Sequence, residues 1–312
     1  MAETKIKGEV KGVLVVCPNP AIDIYAWLDG FKAGVPNRIS KEAKYPGGKG
    51  IHVAMALAEL EVPVTVAGFW GGESGTWIKK TCNAFYPNID FIGPELKEWS
   101  RSCYTFKAID GFDDTEILGT GPTVSHLDLA DLLNSINLAL DSYDMMALCG
   151  SWPKGSPDDG YAQLISMGKQ KGVKSFVDCT GLQLKNALKS KPFGVHLNRK
   201  EITEFYKTDF NRAKENILSD CDVAAITDGS KGLYLLSDEK EYHAVAKVDR
   251  VISTIGSGDC LTAGVVAGYL KSLPLNEIAK LGAACGAANC LREDLGMLNR
   301  ADVEALLAAQ KA

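Results

Sequence analysis

An acidic residue follows two glycines in the segment Gly256-Ser257-Gly258-Asp259, which leads into a small-residue, apolar stretch ending near Leu270. Such a turn can direct several backbone N–H groups at one point, and a following helix adds a partial positive charge at its N-terminus. These groups would form an anion hole for a transferring phosphoryl group, with Asp259 placed to accept a hydroxyl proton. The alternative is that Asp259 only caps the helix and that the glycines only permit the turn.

Another glycine turn lies earlier in the chain, in Tyr45-Pro46-Gly47-Gly48-Lys49-Gly50-Ile51-His52. In chain order this one is called the first glycine turn below, and Gly256-Ser257-Gly258 the second. The first glycine turn also precedes a stretch with helical spacing, and it carries a cation. The spacing differs from that of a P-loop, which requires G-x-x-x-x-G-K-[ST]. Backbone exposed by glycine next to Lys49 suits a sugar hydroxyl or a phosphate. The alternative is an ordinary helix entry.

The overall composition favours a folded protein of moderate size. The chain has 312 residues, of which 46% are hydrophobic and 23% charged, and its formal net charge is −5. An excess of acidic residues argues against nucleic-acid binding, because non-specific affinity for that backbone comes from Lys and Arg. An anionic small molecule remains possible, since a few cations are enough for one phosphate.

Cysteine usage and hydropathy indicate the compartment. The nine cysteines include no C-x-x-C pair, and several lie in apolar runs. Buried, reduced thiols of a cytosolic protein explain this pattern better than a zinc site or a disulfide framework. The first seven residues lack the apolar core of a signal peptide, and no stretch is long and apolar enough for a membrane span. We therefore expect a cytoplasmic protein with no membrane partner.

Alternating strands and helices predict a parallel sheet with helices on both faces. Apolar β-branched runs predict strands at 12–16, 62–68, 145–148, 175–178, 195–197 and 223–227, and helical spacing predicts helices at 49–60, 127–140 and 158–171. Segments 22–45 and 100–120, the latter around the turn Asp110-Gly111, read as extended strands outside this core. Since no linker or repeat divides the chain, we predict one domain over 1–312.

Polar residues follow the ends of successive predicted strands, where an open parallel sheet places its ligand crevice. They are Asn19, Asp23, Ser151, Asp178, Asn198 and Asp228. Asn and Asp are also common turn formers, so turn chemistry explains some of them.

The two glycine turns, in this order, resemble the two signatures of the ribokinase-like (phosphofructokinase-B) carbohydrate kinases. Supporting stretches include Asn19-Pro20-Ala21-Ile22-Asp23, Gly150-Ser151-Trp152-Pro153-Lys154-Gly155 and Asn198-Arg199-Lys200-Glu201. The resemblance covers nearly the whole chain. Within the family, the chain most resembles three groups of enzymes: the fructose-1-phosphate kinases, the tagatose-6-phosphate kinases and the minor fructose-6-phosphate kinases.

The resemblance implies the fold and a role for each matching residue. It implies a ribokinase-like α/β fold, with segments 22–45 and 100–120 forming a β-lid that closes over the sugar, excludes water and mediates a homodimer. Asp259 would be the general base, and Gly256, Ser257 and Gly258 the anion hole. The sugar would be held by Asp23, Gly47, Gly48, Lys49 and Ser151. ATP would be held by Asn198, Thr227, Asp228, Gly229, Gly232 and Asn289, and Glu201 would help place Mg²⁺ through water.

Three cations at positions that match the family's phosphosugar kinases indicate a phosphorylated substrate. They are Arg38, Lys49 and Arg101. Arginine suits this task because its planar guanidinium binds phosphate oxygens in pairs.

Three departures from the family pattern concern specificity. His52 replaces the usual Asn, whose amide faces the sugar, and neutral imidazole offers one donor and one acceptor. Cys149 stands where the relatives usually have Ser, and Ser257 where they more often have Ala. The first two put the identity of the sugar in doubt, and we expect His52 to contact it.

The sequence therefore predicts transfer of the ATP γ-phosphoryl group to a ketohexose phosphate, giving a bisphosphate and ADP. Two alternatives stay open: a kinase of an unphosphorylated sugar or nucleoside, and a non-catalytic sugar-phosphate sensor. Retention of Asp259 and both glycine turns argues against the sensor. The sequence leaves open which ketose phosphate is used, and whether the enzyme needs a monovalent cation or has allosteric control.

Overall fold

The first strand shows why the chain builds a sheet that is covered on both faces. In the computed structural model, which describes residues 11–108, 114–237 and 240–310, β1 (Val13–Val16) is fully buried. Val13 and Val15 pack in one hydrophobic core, whereas Leu14 and Val16 pack in a second core on the opposite face. Because successive side chains of a strand point to opposite faces, only a β-branched, apolar run satisfies both cores.

The large sheet has nine strands in the order β15-β14-β13-β12-β11-β10-β1-β4-β6. The strands other than β1 are β4 (Val64–Ala67), β6 (Ile89–Ile92), β10 (Met145–Cys149), β11 (Lys174–Asp178), β12 (Gly194–Asn198), β13 (Val223–Thr227), β14 (Leu233–Ser237) and β15 (Lys240–Ala244). Neighbouring strands from β6 through β13 pair in parallel, and β14 and β15 continue the sheet in antiparallel pairing. The carboxyl ends of the parallel strands therefore meet at one edge.

Helices cover both faces of this sheet. The helices are α1 (Lys49–Glu59), α2 (Gly72–Phe85), α3 (His126–Ala139), α4 (Gly160–Lys171), α5 (Gly181–Lys189), α6 (Arg199–Tyr206), α7 (Phe210–Ile217), α8 (Ser257–Leu270), α9 (Leu275–Cys290) and α10 (Arg300–Ala309). Helices α1, α8 and α9 line one core, and α3 to α7 line the other. Among the described helices, none is both long and apolar enough to cross a membrane.

A second, four-stranded sheet stands apart from the large one and is called the small sheet below. It consists of β2 (Ala21–Leu28), β3 (Lys41–Gly47), β8 (Arg101–Ala108) and β9 (Thr115–Leu118), in the order β3-β2-β8-β9. Two short strands, β5 (Trp70–Gly71) and β7 (Glu95–Leu96), form a separate parallel pair. The hydroxyl of Tyr25 on β2 lies 2.9 Å from that of Ser253, which connects the small sheet to the turn before α8.

The fold class predicted from the sequence is confirmed: a large, mostly parallel sheet with helices on both faces and a small additional sheet. The six predicted strands and three predicted helices are present with ends shifted by a few residues. Segments 22–45 and 100–120 do supply the strands of the small sheet. The predicted turn Asp110-Gly111 lies outside the described residues.

Candidate active site

Asp259 lies in the first turn of α8, and its carboxylate contacts a residue of another helix, α1. Gly256 is the N-cap residue, with φ +82, and as a glycine it has no side chain with which to cap this helix. Asp259 is buried, and its Oδ2 lies 2.8 Å from Nδ1 of His52 on α1. This carboxylate oxygen therefore contacts the neighbouring helix α1, and the role of Asp259 as general base stays a prediction. The N–H groups of Gly258 and Asp259 lack intrahelical acceptors, as at the start of any α-helix.

The first glycine turn brings Asp23 against the start of α1. Gly48 is the N-cap residue of α1, with φ +92, and its N–H donates to Oδ2 of Asp23 at 3.2 Å. Asp23 lies on β2 opposite Tyr45 of β3, beside the position of Gly47. A Cβ at Gly47 would lie 2.1 Å from Cγ of Asp23, so only glycine lets this carboxylate approach the turn.

His52 connects these two carboxylates. Its side chain is 5% exposed; Nδ1 lies 2.8 Å from Asp259 and Nε2 lies 3.2 Å from Oδ2 of Asp23. Burial alone would lower the pKa of His52, but the adjacent carboxylates of Asp23 and Asp259 raise it to about 10. The imidazole is therefore a buried cation between two anions, and the glycine turns are joined through it.

A second buried carboxylate organises the centre of the site. Oδ1 of Asp178, at the end of β11, lies 2.7 Å from Nζ of Lys49. Its Oδ2 accepts from Thr262 at 3.1 Å and lies 3.0 Å from Nδ1 of His196. Burial opposes ionisation of Asp178, but Lys49 and His196 hold its pKa well below the ordinary range. The same carboxylate raises the pKa of Lys49 against the effect of burial, so both groups are charged.

His196 lies directly beneath the second glycine turn. Its Cε1 would be 3.0 Å from a Cβ at Gly258, and its Nε2 lies 3.3 Å from the hydroxyl of Thr227 at the end of β13. The sequence identified Asp178 only as one of several polar residues at strand ends. It did not identify His196 as a site residue. The available signal was the succession of polar residues within and after β11, β12 and β13.

The three cations predicted to surround a substrate phosphate lie in different local environments. Lys49 pairs with Asp178, whereas Arg101 donates to the backbone carbonyls of Asn19 at 3.1 Å and Gly119 at 3.3 Å. Arg38 is exposed in the connection between β2 and β3. Ser151 is exposed after β10, one residue beyond Gly150, whose added Cβ would lie 3.6 Å from that of Lys49. A common phosphate site for these groups stays a prediction.

Asn198 and Glu201 form a reciprocal capping box at the start of α6. The Asn198 side chain accepts from the Glu201 N–H at 2.9 Å, and Oε2 of Glu201 accepts from the Asn198 N–H at 2.9 Å. This is a structural role for both residues. It leaves the second carboxylate oxygen of Glu201 outside the box.

The remaining residues predicted to hold ATP lie around β13 and α9. Thr227 ends β13, Gly229 and Gly232 adopt positive φ in the turn before β14, and Oδ2 of Asp228 accepts from Arg199 at 2.7 Å. Asn289 is 1% exposed and donates to the Met297 carbonyl at 2.8 Å. Its side chain therefore fixes the loop after α9, and contact with a nucleotide stays a prediction.

That loop contains a residue which sequence reasoning missed, Gly296. A Cβ at Gly296 would lie 2.1 Å from Cγ of His52, and a Cβ at Gly256 would lie 2.5 Å from the Cα of Gly296. Its φ of +63 also favours glycine. Gly296 thus packs between the imidazole of His52 and the second glycine turn. An isolated glycine in a loop gave no signal of this contact.

Comparison with known proteins places the chain in a family. Residues 15–300 match the family described as pfkB family carbohydrate kinase. The chain is 31% identical over 291 residues to a 1-phosphofructokinase of Bacillus subtilis, covering 91% of this chain and 94% of that protein. It is 28% identical over 297 residues to a tagatose-6-phosphate kinase of Staphylococcus epidermidis, covering 92% and 94% respectively.

A solved structure agrees in fold. Phosphofructokinase-2 from Escherichia coli, in complex with potassium, superimposes with a TM-score of 0.87 at 20% identity, over 96% of this chain and 99% of that one. The predicted enzyme class, an ATP-dependent sugar kinase, is confirmed by these family relationships. The chain belongs to the pfkB family of carbohydrate kinases.

Proposed function

We propose that this enzyme transfers the γ-phosphoryl group of ATP to a hydroxyl of a ketohexose phosphate, with Asp259 as the general base. The observation that carries the proposal is the carboxylate of Asp259, which is buried at the start of α8 and lies 2.8 Å from Nδ1 of His52 on α1, the helix that follows the first glycine turn. Relatives named for fructose 1-phosphate and tagatose 6-phosphate support a phosphorylated ketose as the acceptor.

Different groups of the chain would bind the acceptor, stabilise the phosphoryl group and accept the proton. Asp23 and the N–H groups of the first turn bind acceptor hydroxyls, while the N–H groups at the start of α8 receive the transferring phosphoryl oxygens. Asp259 accepts the proton of the attacking hydroxyl as the new O–P bond forms, and the bond to ADP breaks with its electron pair on ADP. Positioning and charge stabilisation supply most of the rate.

The residues present fit a water-mediated magnesium ion. Among the described residues, no cluster of three or more His, Cys, Asp or Glu side chains could hold a metal. Mg²⁺ commonly keeps several waters and takes one or two carboxylates together with substrate phosphates, which suits the free oxygen of Glu201. When bound, the ion offsets phosphate charge. Thr227, Asp228, Gly229 and Gly232 would hold the nucleotide.

We further propose that the chain acts as one kinase domain with the small sheet as its lid, and that the lid pairs two copies. Strand β9 is an edge of the small sheet, and Ile117 and Leu118 on it are 54% and 60% exposed. Exposed apolar residues on a strand edge favour pairing with another chain. Leu118→Lys should yield monomers in light scattering, whereas Leu127→Lys on α3, where Leu127 is 78% exposed, should not.

The substrate is tested by ADP release with Mg-ATP across fructose 1-phosphate, fructose 6-phosphate, tagatose 6-phosphate, fructose, ribose and adenosine. Turnover of one phosphosugar that falls by about 10²-fold or more in Asp259→Asn supports the proposal. Arg101→Ala should raise the KM for that phosphosugar, with Arg101→Lys as the charge-preserving control. Turnover confined to a free sugar or nucleoside, insensitive to Arg101, would establish the alternative kinase. Sugar-phosphate binding without ADP formation would establish the sensor.

A further inference from the structure

The imidazole of His52 is bounded by carboxylates on more than one side. Asp259 faces Nδ1 from α8, at 2.8 Å, and Asp23 faces Nε2 from β2, at 3.2 Å. Glu116 on β9 also lies close enough for its charge to interact with His52, and burial together with Asp23 raises the pKa of Glu116. The position is otherwise closed: the His52 side chain is 5% exposed.

The short distances from the His52 nitrogens to Asp259 and Asp23 favour the protonated form of the ring. An ionised carboxylate only accepts hydrogen bonds, whereas a neutral imidazole has one donor and one acceptor nitrogen. A neutral ring would therefore set a nitrogen lone pair against one of the two carboxylates. A ring protonated on both nitrogens donates a hydrogen bond to Asp259 from Nδ1, and its positive charge faces Asp23 at 3.2 Å from Nε2, although Nε2 lacks hydrogen-bond geometry there.

The ring is also fixed by packing. Gly296 lies so close that an added Cβ would be 2.1 Å from Cγ of His52, and the loop that carries Gly296 is held by the bond from Asn289 to Met297. Cys260, the residue after Asp259, places its Sγ 3.5 Å from the Gly296 carbonyl. The ring, the loop and the first turn of α8 are thus one packed unit.

We propose that His52 is a positioning residue for phosphoryl transfer, which holds the base Asp259 by a hydrogen bond from Nδ1 and attracts the acceptor-binding carboxylate Asp23 by its charge. This rests on the proposed role of Asp259 and replaces the expectation that His52 acts by contacting the sugar. Because His52 engages Oδ2 of Asp259, Oδ1 is the atom that accepts the hydroxyl proton. His52 keeps both of its protons throughout, so the proton balance is complete within the hydroxyl and Asp259.

The proposal predicts a specific pattern in His52→Asn. Because the variant removes the cation between the two carboxylates, the acidic limb of kcat/KM for the phosphosugar should move to higher pH. Loss of orientation should lower kcat at neutral pH by up to about 10²-fold, with the KM for ATP unchanged. The control is His126→Asn, which removes an exposed histidine at the start of α3 and should leave the profile unchanged.

Each outcome decides the question. A changed KM for the sugar with unaltered kcat and acidic limb would overturn the proposal and make His52 a sugar-binding residue. Asp259→Asn is assayed in parallel: if it retained full turnover, the proposed function itself would fail, whatever the result at His52.

A measurement on the unsubstituted protein guards against misfolding of His52→Asn. Nitrogen chemical shifts should show both nitrogens of the His52 ring protonated at pH 8. The His52 signal is assigned by its absence in His52→Asn and should be displaced in Gly296→Ala. A neutral His52 at pH 8 would contradict the proposal.

Discussion

Nζ of Lys49 lies 2.7 Å from Oδ1 of Asp178, and this ion pair joins the first glycine turn to the carboxyl end of β11. The Asp178 carboxylate is 3% exposed, and its second oxygen contacts His196 and accepts a hydrogen bond from Thr262. Since His196 lies beneath Gly258, a single buried carboxylate fixes groups under both glycine turns. The side chain of Lys49 is 40% exposed, and its contact with a ligand stays a prediction.

Asp178→Asn should lower the free energy of unfolding at pH 7 by roughly 1–3 kcal/mol, because the buried donors lose a charged acceptor. The pKa of Asp178 is depressed in the folded state. Its stabilisation is therefore present above the unfolded-state value of about 4 and is lost as the pH falls below it. Denaturant unfolding between pH 3 and 7 should show a shallower acid dependence in the variant.

Asp141→Asn is the matched control for Asp178. Its pair with Lys171 involves a carboxylate that is 73% exposed, so its loss should change stability by less than about 0.5 kcal/mol. Equal acid dependence in Asp178→Asn and the unsubstituted protein would show that Asp178 is not the ionised centre of this network.

Stability at alkaline pH should report on His52. Its pKa is raised to about 10 in the folded protein, against about 6.5 for an unfolded histidine. The stabilisation is therefore complete below about pH 6.5 and is lost as the pH rises through about 10. The free energy of unfolding, compared at pH 7 and 9.5, should fall more in the unsubstituted protein than in His52→Asn. Identical falls would mean that the folded protein does not hold His52 protonated.

Gly47→Ala should raise the KM for the acceptor sugar, because the new methyl group would displace the carboxylate of Asp23. The backbone at Gly47 does not have a positive φ, so the effect is steric. Steady-state kinetics with varied sugar measures it. Gly172→Ala is the comparison: φ is +72 there with open space around it, so it should cost about 1 kcal/mol of stability without altering KM. A normal KM in Gly47→Ala would argue that Asp23 does not bind the sugar.

Asn198 can be tested for a role beyond its cap. Asn198→Ser retains an N-cap residue, whereas Asn198→Ala removes it and should cost about 1 kcal/mol. If Asn198 helps to hold Mg-ATP, both variants should raise the KM for Mg-ATP while only Asn198→Ala loses stability. A normal KM in the stable Asn198→Ser protein would leave the residue with its capping role alone.

The sequence predicted those elements whose signal is local. Strand β1 was predictable because it is apolar on both faces, and α1 because its apolar residues keep helical spacing. Helix α2 was not predicted, since it begins with glycines and serine and buries only Ser74, Gly75, Ile78 and Cys82. Small residues give a weak hydrophobic pattern, although Gly75 packs closely on the backbone of Trp70.

The residues of the site likewise fall into those with a local sequence signal and those without one. The two glycine turns carry recognisable chemistry, so Asp259 and Lys49 were identified from the sequence. Their pairings with His52 and Asp178 were not predicted, because the contact between His52 and Asp259 joins residues 207 positions apart and that between Lys49 and Asp178 joins residues 129 apart. Such pairs are decided by the packing of helices on the sheet, which no local pattern reports.

The parallel pairing of β2 with β8 has a consequence for how the protein folds. Their register runs from Ala21 with Arg101 to Leu28 with Ala108, and the chain between them contains α1, β4 and α2, which belong to the body around the large sheet. Closing so long a segment is entropically costly before the intervening elements are in place. We therefore expect the small sheet to gain hydrogen-exchange protection after the large one, so that Asp23 reaches its place beside His52 late in folding.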